Sequence, residues 1–128
     1  MDKKECALYV SSFSKNGKEL LEQHLEDHNG DILLHVFVPD LIYFPLLECI
    51  KLSEEDNIRK YCISIEEMWK RGNDEVLNVV EVSILECLTD DDNVWQIFGK
   101  HISNDFRNFI NTDYIPRNSD WLKINLLK

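Results

Sequence analysis

The segment "HLEDH" carries His24 and His28 four residues apart, the helical spacing at which two imidazoles can reach one metal ion. Leu25 stands where the zinc-protease motif H-E-x-x-H has its general base, and spacing marks no third ligand. The expected reading is two solvated histidines on an acidic helix, with adventitious metal binding as the alternative. Cysteine chemistry comes next: Cys6, Cys49, Cys62 and Cys87 can be paired on paper with His35 or His101 as a base. The four are scattered, each beside apolar residues, and form no C-x-x-C, so they read as small buried hydrophobes of a reducing compartment. "FGKHIS" at 98–103 lacks the glycine-rich loop that cradles phosphate and reads as a helix end. No catalytic signature stands by itself, so the sequence predicts no enzyme, no resident metal and no cofactor.

The carboxylates are more informative as a set. "SEEDN", "NDE" and "TDDDN" place Glu54, Glu55 and Asp56, then Asp74 and Glu75, then Asp90, Asp91 and Asp92, at three helix-start junctions. Acids there favour the helix dipole locally, yet three consecutive aspartates exceed what one cap requires. In a stack of antiparallel helices alternate starts share an end, where the clusters could merge into one negative patch. His35, Asp40 and Glu86 are the polar residues most embedded in apolar sequence. They are expected to be structural, each with a satisfied partner, because an unpaired ionisable group in the interior costs several kcal/mol.

The elements that must position these groups are helical throughout. Apolar residues recur at three and four, and period-two alternation never persists. The expected fold is all-α, a single domain over residues 1–128, built as a bundle or short solenoid-like stack of roughly seven to nine antiparallel helices. Cys6, Tyr9, Val10 and Phe13 form a first stripe, Leu20, Leu21 and Leu25 a second, and "HNGD" supplies a stop and then Asp31 as a cap. "ILLHVFVPDLIYFPLLECI" is divided by Pro39, expected at the first position of a new helix, and by Pro45, expected to kink or restart it. Ser53 is expected to cap the next helix, Asn73 or Asp74 the one after it, and Asp91 or Asp92 the following one. Ser103 starts a further helix. Ser119 or Asp120 is expected to cap a last piece that docks through Trp121, Leu122, Ile124 and Leu126.

A net charge of −10 and 44% hydrophobic content describe a folded, acidic chain whose field repels nucleic-acid phosphates and anionic lipid and attracts basic proteins. Direct nucleic-acid binding is therefore not expected. Neither is a membrane segment, because Asp40 and Glu48 interrupt the longest apolar run and Pro39 divides it. The N-terminal residues show no signal-peptide pattern, and the expected location is cytoplasmic.

Two segments, "LLHVFVPDLIYF" and "GNDEVLNVVEVSILECL", resemble a family of small, acidic, all-helical bacterial domains associated with immunity proteins. Those proteins neutralise toxins of bacterial competition systems such as contact-dependent growth inhibition. His35, Phe37 and Asp40 match an H-x-F-x-x-D pattern, and Val82, Ser83 and Glu86 match V-S-x-x-E. Pro39 stands where that pattern usually has glycine. The resemblance implies an all-helical fold and no catalytic residues.

Together these readings predict an immunity protein that binds a basic nuclease toxin domain, an RNase first, and occludes its substrate cleft. The eight acids named above would stand in for phosphates, with Trp95 as an exposed anchor. The alternative is a helical adaptor that holds a peptide or partner helix in an apolar groove.

Overall fold

Four helix starts are fixed by side chains that satisfy otherwise orphaned N–H groups. In the computed structural model, which describes residues 1–118, Asp2 accepts from Glu5 N–H in a reciprocal capping box, and Asn73 accepts from Val76, Asp91 from Val94 and Ser103 from Phe106. The described residues form seven helices and no strand: α1 (Lys3–Ser11), α2 (Gly17–Asp27), α3 (34–51), α4 (Glu55–Arg71), α5 (74–88), α6 (Asp92–Lys100) and α7 (104–117). The all-α class is as expected. The Ser119 or Asp120 cap and the docking face at Trp121, Leu122, Ile124 and Leu126 lie outside the described residues.

Two expected caps serve other purposes. Ser53 has φ 56, and its N–H and that of Glu54 bond back to Ile50 and Cys49 carbonyls at 3.1 and 3.0 Å, so it closes α3 instead of opening α4. Asp31 does not cap α3 either, for that helix begins at Leu34 after an uncapped Leu33. The stop at "HNGD" is present: Asn29 has φ 56, Gly30 has φ 86, and Gly30 N–H reaches the Leu25 carbonyl at 2.7 Å.

Pro39 and Pro45 do not divide the long apolar stretch. The backbone at Val38, Pro39, Tyr43 and Phe44 stays in the right-handed helical region, and Phe44 N–H bonds to the Pro39 carbonyl across a π turn at Pro39–Tyr43. A widened turn already abandons the i→i+4 register, so a proline beside it conflicts with fewer helical bonds. Similar π turns occupy Val80–Leu85 in α5 and Ile110–Tyr114 in α7, where Pro116 follows. The buried stripe of α3 records the change, running Leu34, Phe37, Val38, Leu41, Ile42 and then Leu46 and Cys49.

The second half of α3 packs along α4, while α5 lies against both, and α1 packs on α2, α3 and α5. Trp69 of α4 stacks on Phe106 of α7 at 4.6 Å, Phe106 meets Phe98 edge-on at 6.1 Å, and Phe98 stacks on Trp95 at 5.8 Å. Cys6, Cys49 and Cys62 are buried and unpaired, and burial pushes the Cys6 and Cys62 thiols up to about 12. Thiols of that kind are inert. Among the described residues no helix is long and apolar enough to cross a membrane.

Candidate functional site

Three regions gather the residues that carry charge or chemistry. The first is the end of the molecule where α3 stops and α4 and α6 begin. Glu54, Glu55 and Asp56 are exposed there, as are Asp90, Asp91 and Asp92. Beside the second cluster lies an open cleft of about 470 Å³ with Tyr43, Leu47, Ile50 and Val94 as apolar lining and Asp90, Asp91 and Lys51 at its edge. Tyr43 donates its hydroxyl to the Cys87 carbonyl at 3.3 Å, which closes one wall. His101, which caps the end of α6 away from Asp92, bonds to the first cluster: its Nε2 lies 2.8 Å from a Glu55 carboxylate oxygen and its Nδ1 lies 2.8 Å from the Ile97 carbonyl. Both neighbours are acceptors, so the full pair of bonds belongs to the imidazolium.

Not every acid at this end is free to face a partner. Asp91 caps α6, Asp92 accepts from Gln96 at 3.3 Å, and Asp56 sits 3.5 Å from Arg59. Asp74 and Glu75 do not join the patch at all. They follow α4, whose 17 residues place its two ends about 25 Å apart, and Asn73 N–H is bound there to the Met1 carbonyl at 2.8 Å. The expected merger of three clusters is therefore corrected: Asp74 and Glu75 stand at the opposite end of α4 from Glu54, Glu55 and Asp56, and Asp90 and Asp91 are the acids that line the cleft. Trp95 is also corrected. It is only 1% exposed, because the first turn of α6 turns its ring inward against Phe98, so it cannot anchor a partner.

The second region brings the two resemblance segments together. His35 of α3 places Nδ1 2.5 Å from Ser83 Oγ, inside the α5 π turn, and Asn78 donates its amide to His35 Nε2 at 3.2 Å. His35 has partners as expected, but on the surface, not inside. With Nε2 accepting, the neutral ring carries its proton on Nδ1 and gives it to Ser83, so the ring is not placed to deprotonate the serine. The group fastens α3 to α5. Glu86 is half-buried. Burial, with Glu86 and Glu81 adding to it, raises the Tyr114 phenol, which donates to the Glu81 carbonyl at 3.2 Å.

The third region is a cleft between α2 and α3 that holds His24, His28, Asp27 and the exposed Asp40. His24 is buried, and its Nε2 accepts Leu33 N–H at 3.0 Å. His28 donates Nδ1–H to the His24 carbonyl at 2.8 Å, and the two ring centroids lie 4.3 Å apart with the planes tilted by 41°. The pair thus ties the end of α2 to the start of α3. Among the described residues no group of three histidine, cysteine or carboxylate side chains is arranged to hold a metal.

Burial first, and then His28, lower the His24 pKa, against the opposing pull of Asp27 and Asp40. The folded protein then takes up the His24 proton less readily than the unfolded chain. His24 stabilises the fold in full above the unfolded value of about 6.5, and that contribution is lost as pH falls below it. Thermal midpoints compared between about pH 7.5 and pH 5.5 should fall more steeply for the native chain than for His24→Gln.

Glu66 is a structural support that sequence reading missed. Only 9% exposed, it accepts Ser103 N–H at 2.8 Å and Lys70 Nζ at 3.2 Å. Burial alone would raise its carboxyl, and these bonds outweigh that and lower it. Its location one position after Ile65, on a helix with Cys62 inward, was the available signal.

No curated protein matches the chain, and no solved structure matches it. A family model does, over residues 7–116, from α1 through the described part of α7 that includes Pro116. All three regions fall within that span, and the chain belongs to the family described as Domain of unknown function (DUF7674).

Proposed function

We propose that this domain is a protein-binding module that captures a basic partner at its acidic end, and that the partner is a nuclease toxin domain which it holds inactive as an immunity protein. The observation that carries the reading is an apolar-lined cleft edged by Asp90, Asp91 and Lys51, with Glu54, Glu55 and Asp56 exposed just beyond Lys51 in the chain. Exposed carboxylates there steer a basic surface toward the cleft, and the apolar lining gives the encounter something to bury. The family's description assigns no activity, so the immunity role rests on the resemblance of the α3 and α5 segments and on this charge. An adaptor that binds a partner helix is the second reading. It is favoured by Phe44 and Leu52, exposed by 57% and 56% on and just after α3.

The discriminating substitution reverses Asp90 and Asp92 to lysine and spares Asp91, whose cap the helix requires. Association with a basic nuclease domain encoded beside the gene should slow by about tenfold or more at low ionic strength, and its salt dependence should flatten. The adaptor reading expects a rate indifferent to both changes. Undiminished RNA cleavage in the presence of excess native domain overturns the immunity reading.

A further inference from the structure

We infer that the cleft between α2 and α3 is a receptor for a single arginine side chain of a protein partner, seated between the carboxylates of Asp27 and Asp40 and beside the His28 ring. The cleft measures about 380 Å³, at the small end of ligand pockets. Its apolar lining comes from Leu20, Val36, Phe37 and Leu41, a surface suited to the aliphatic stem of a long side chain. Asp27 is bonded by Gln23 at 2.8 Å, and neither it nor Asp40 has an ion-pair partner among the described residues. Two uncompensated carboxylates beside an apolar floor favour a cation.

The histidines narrow the chemistry further. His24 is only 7% exposed, and its Nε2 accepts Leu33 N–H, so the neutral ring carries its proton on Nδ1. Among the described residues that Nδ1 has no hydrogen-bond partner, and His24 lines the cleft. His28 spends Nδ1–H on the His24 carbonyl, which leaves the Nε2 lone pair of the neutral ring as an acceptor. The depressed pKa of His24 keeps this ring from opposing a bound cation.

The cleft thus offers acceptors for a cation and, on His24, one donor for a carbonyl. A peptide arginine carries both groups, the guanidinium and its own or a neighbouring main-chain carbonyl. Arginine suits the site better than lysine, because its planar, weakly hydrated guanidinium presents a fork of donors to carboxylates while a lysine ammonium is a compact, strongly hydrated point charge. The inference rests on the basic-partner reading only for what presents the arginine. Asp40 is 11 positions from Lys51 along α3, so this cleft lies about 16 Å from the acidic end.

The test is a titration of the full chain, followed by amide and imidazole NMR resonances, with N-acetyl-arginine methylamide as probe. The citrulline, lysine and spermidine counterparts serve as comparisons. The expected result is a saturable shift at His24, His28, Leu33 and Leu41 with the arginine probe. Affinity should be about tenfold weaker with citrulline and about tenfold weaker in Asp40→Asn. Asp40 is exposed, so its amide variant should keep the native spectrum elsewhere. Equal affinity for citrulline, lysine or spermidine overturns the assignment, as does an unaltered response in Asp40→Asn or shifts spread over all acidic surfaces. Reversal of Asp90 and Asp92 should leave this titration unchanged. A domain that binds the probe but blocks no nuclease therefore sinks the immunity reading alone, and one that blocks a nuclease without binding the probe sinks this inference alone.

Discussion

Truncation of Trp95 to alanine should lower stability by about 3–5 kcal/mol, measured by urea unfolding followed through far-UV circular dichroism. The ring is 1% exposed and forms one end of an aromatic series, with Phe98 at 5.8 Å, Phe106 at 6.1 Å from Phe98, and Trp69 at 4.6 Å from Phe106. That series joins α6, α7 and α4. Alanine leaves a cavity the neighbours cannot fill without abandoning these ring contacts. A domain of this size has about 5–15 kcal/mol to lose, so the variant should populate unfolded chain at physiological temperature. Trp95→Phe, which retains a ring, should lose much less. Binding measured on folded protein should be unaffected in Trp95→Phe, and a tenfold loss there with native stability would return Trp95 to the interface.

Gly17→Ala should cost about 3 kcal/mol or more, at or beyond the usual range for overpacking. A β-carbon at Gly17 would stand 1.7 Å from the Ser11 carbonyl oxygen and 2.6 Å from the Ser11 carbonyl carbon. Both are backbone atoms at the end of α1, so no side-chain rotation relieves the overlap. The start of α2 must move away from α1. Alanine's better helix propensity returns only about 1 kcal/mol. Gly30→Ala is the contrast, because nothing lies within 4 Å of its β-carbon position and only its φ of +86° resists substitution, at about 1–2 kcal/mol. Equal thermal midpoints for the two variants would show that α1 and α2 do not need this approach.

What could be read from the chain alone was mainly what neighbours in sequence decide. The caps at Asn73, Asp91 and Ser103 are local hydrogen bonds, and the residue types announce them. Ser53 has the same side-chain chemistry, yet its role was set by the turn that ends α3, which no cap signal reveals. His35 and Asp40 were misplaced because Val36 and Phe44 are apolar and still exposed, by 49% and 57%, so the stretch looked buried on every side. The partners Ser83 and Asn78 lie 48 and 43 residues from His35, a pairing that depends on how α3 and α5 dock. The acidic clusters were visible, but which of them share an end depends on the length of α4 and the antiparallel return of α5.

The π turns also change how chain length translates into shape. Each takes up one more residue than an α turn for nearly the same advance, so α3, α5 and α7 each hold a spare residue within their span. Deleting one residue inside 39–43 would leave α3 able to bridge the same gap as an unbroken α-helix. It would also keep everything downstream on its present face, because the π turn spends its extra residue on the same full revolution that an α turn makes with one residue fewer. Leu46 and Cys49 would stay on the core, and the wall of the acidic cleft would stay with them. In this molecule a single-residue gap at a π turn is a change of helix type rather than a change of face.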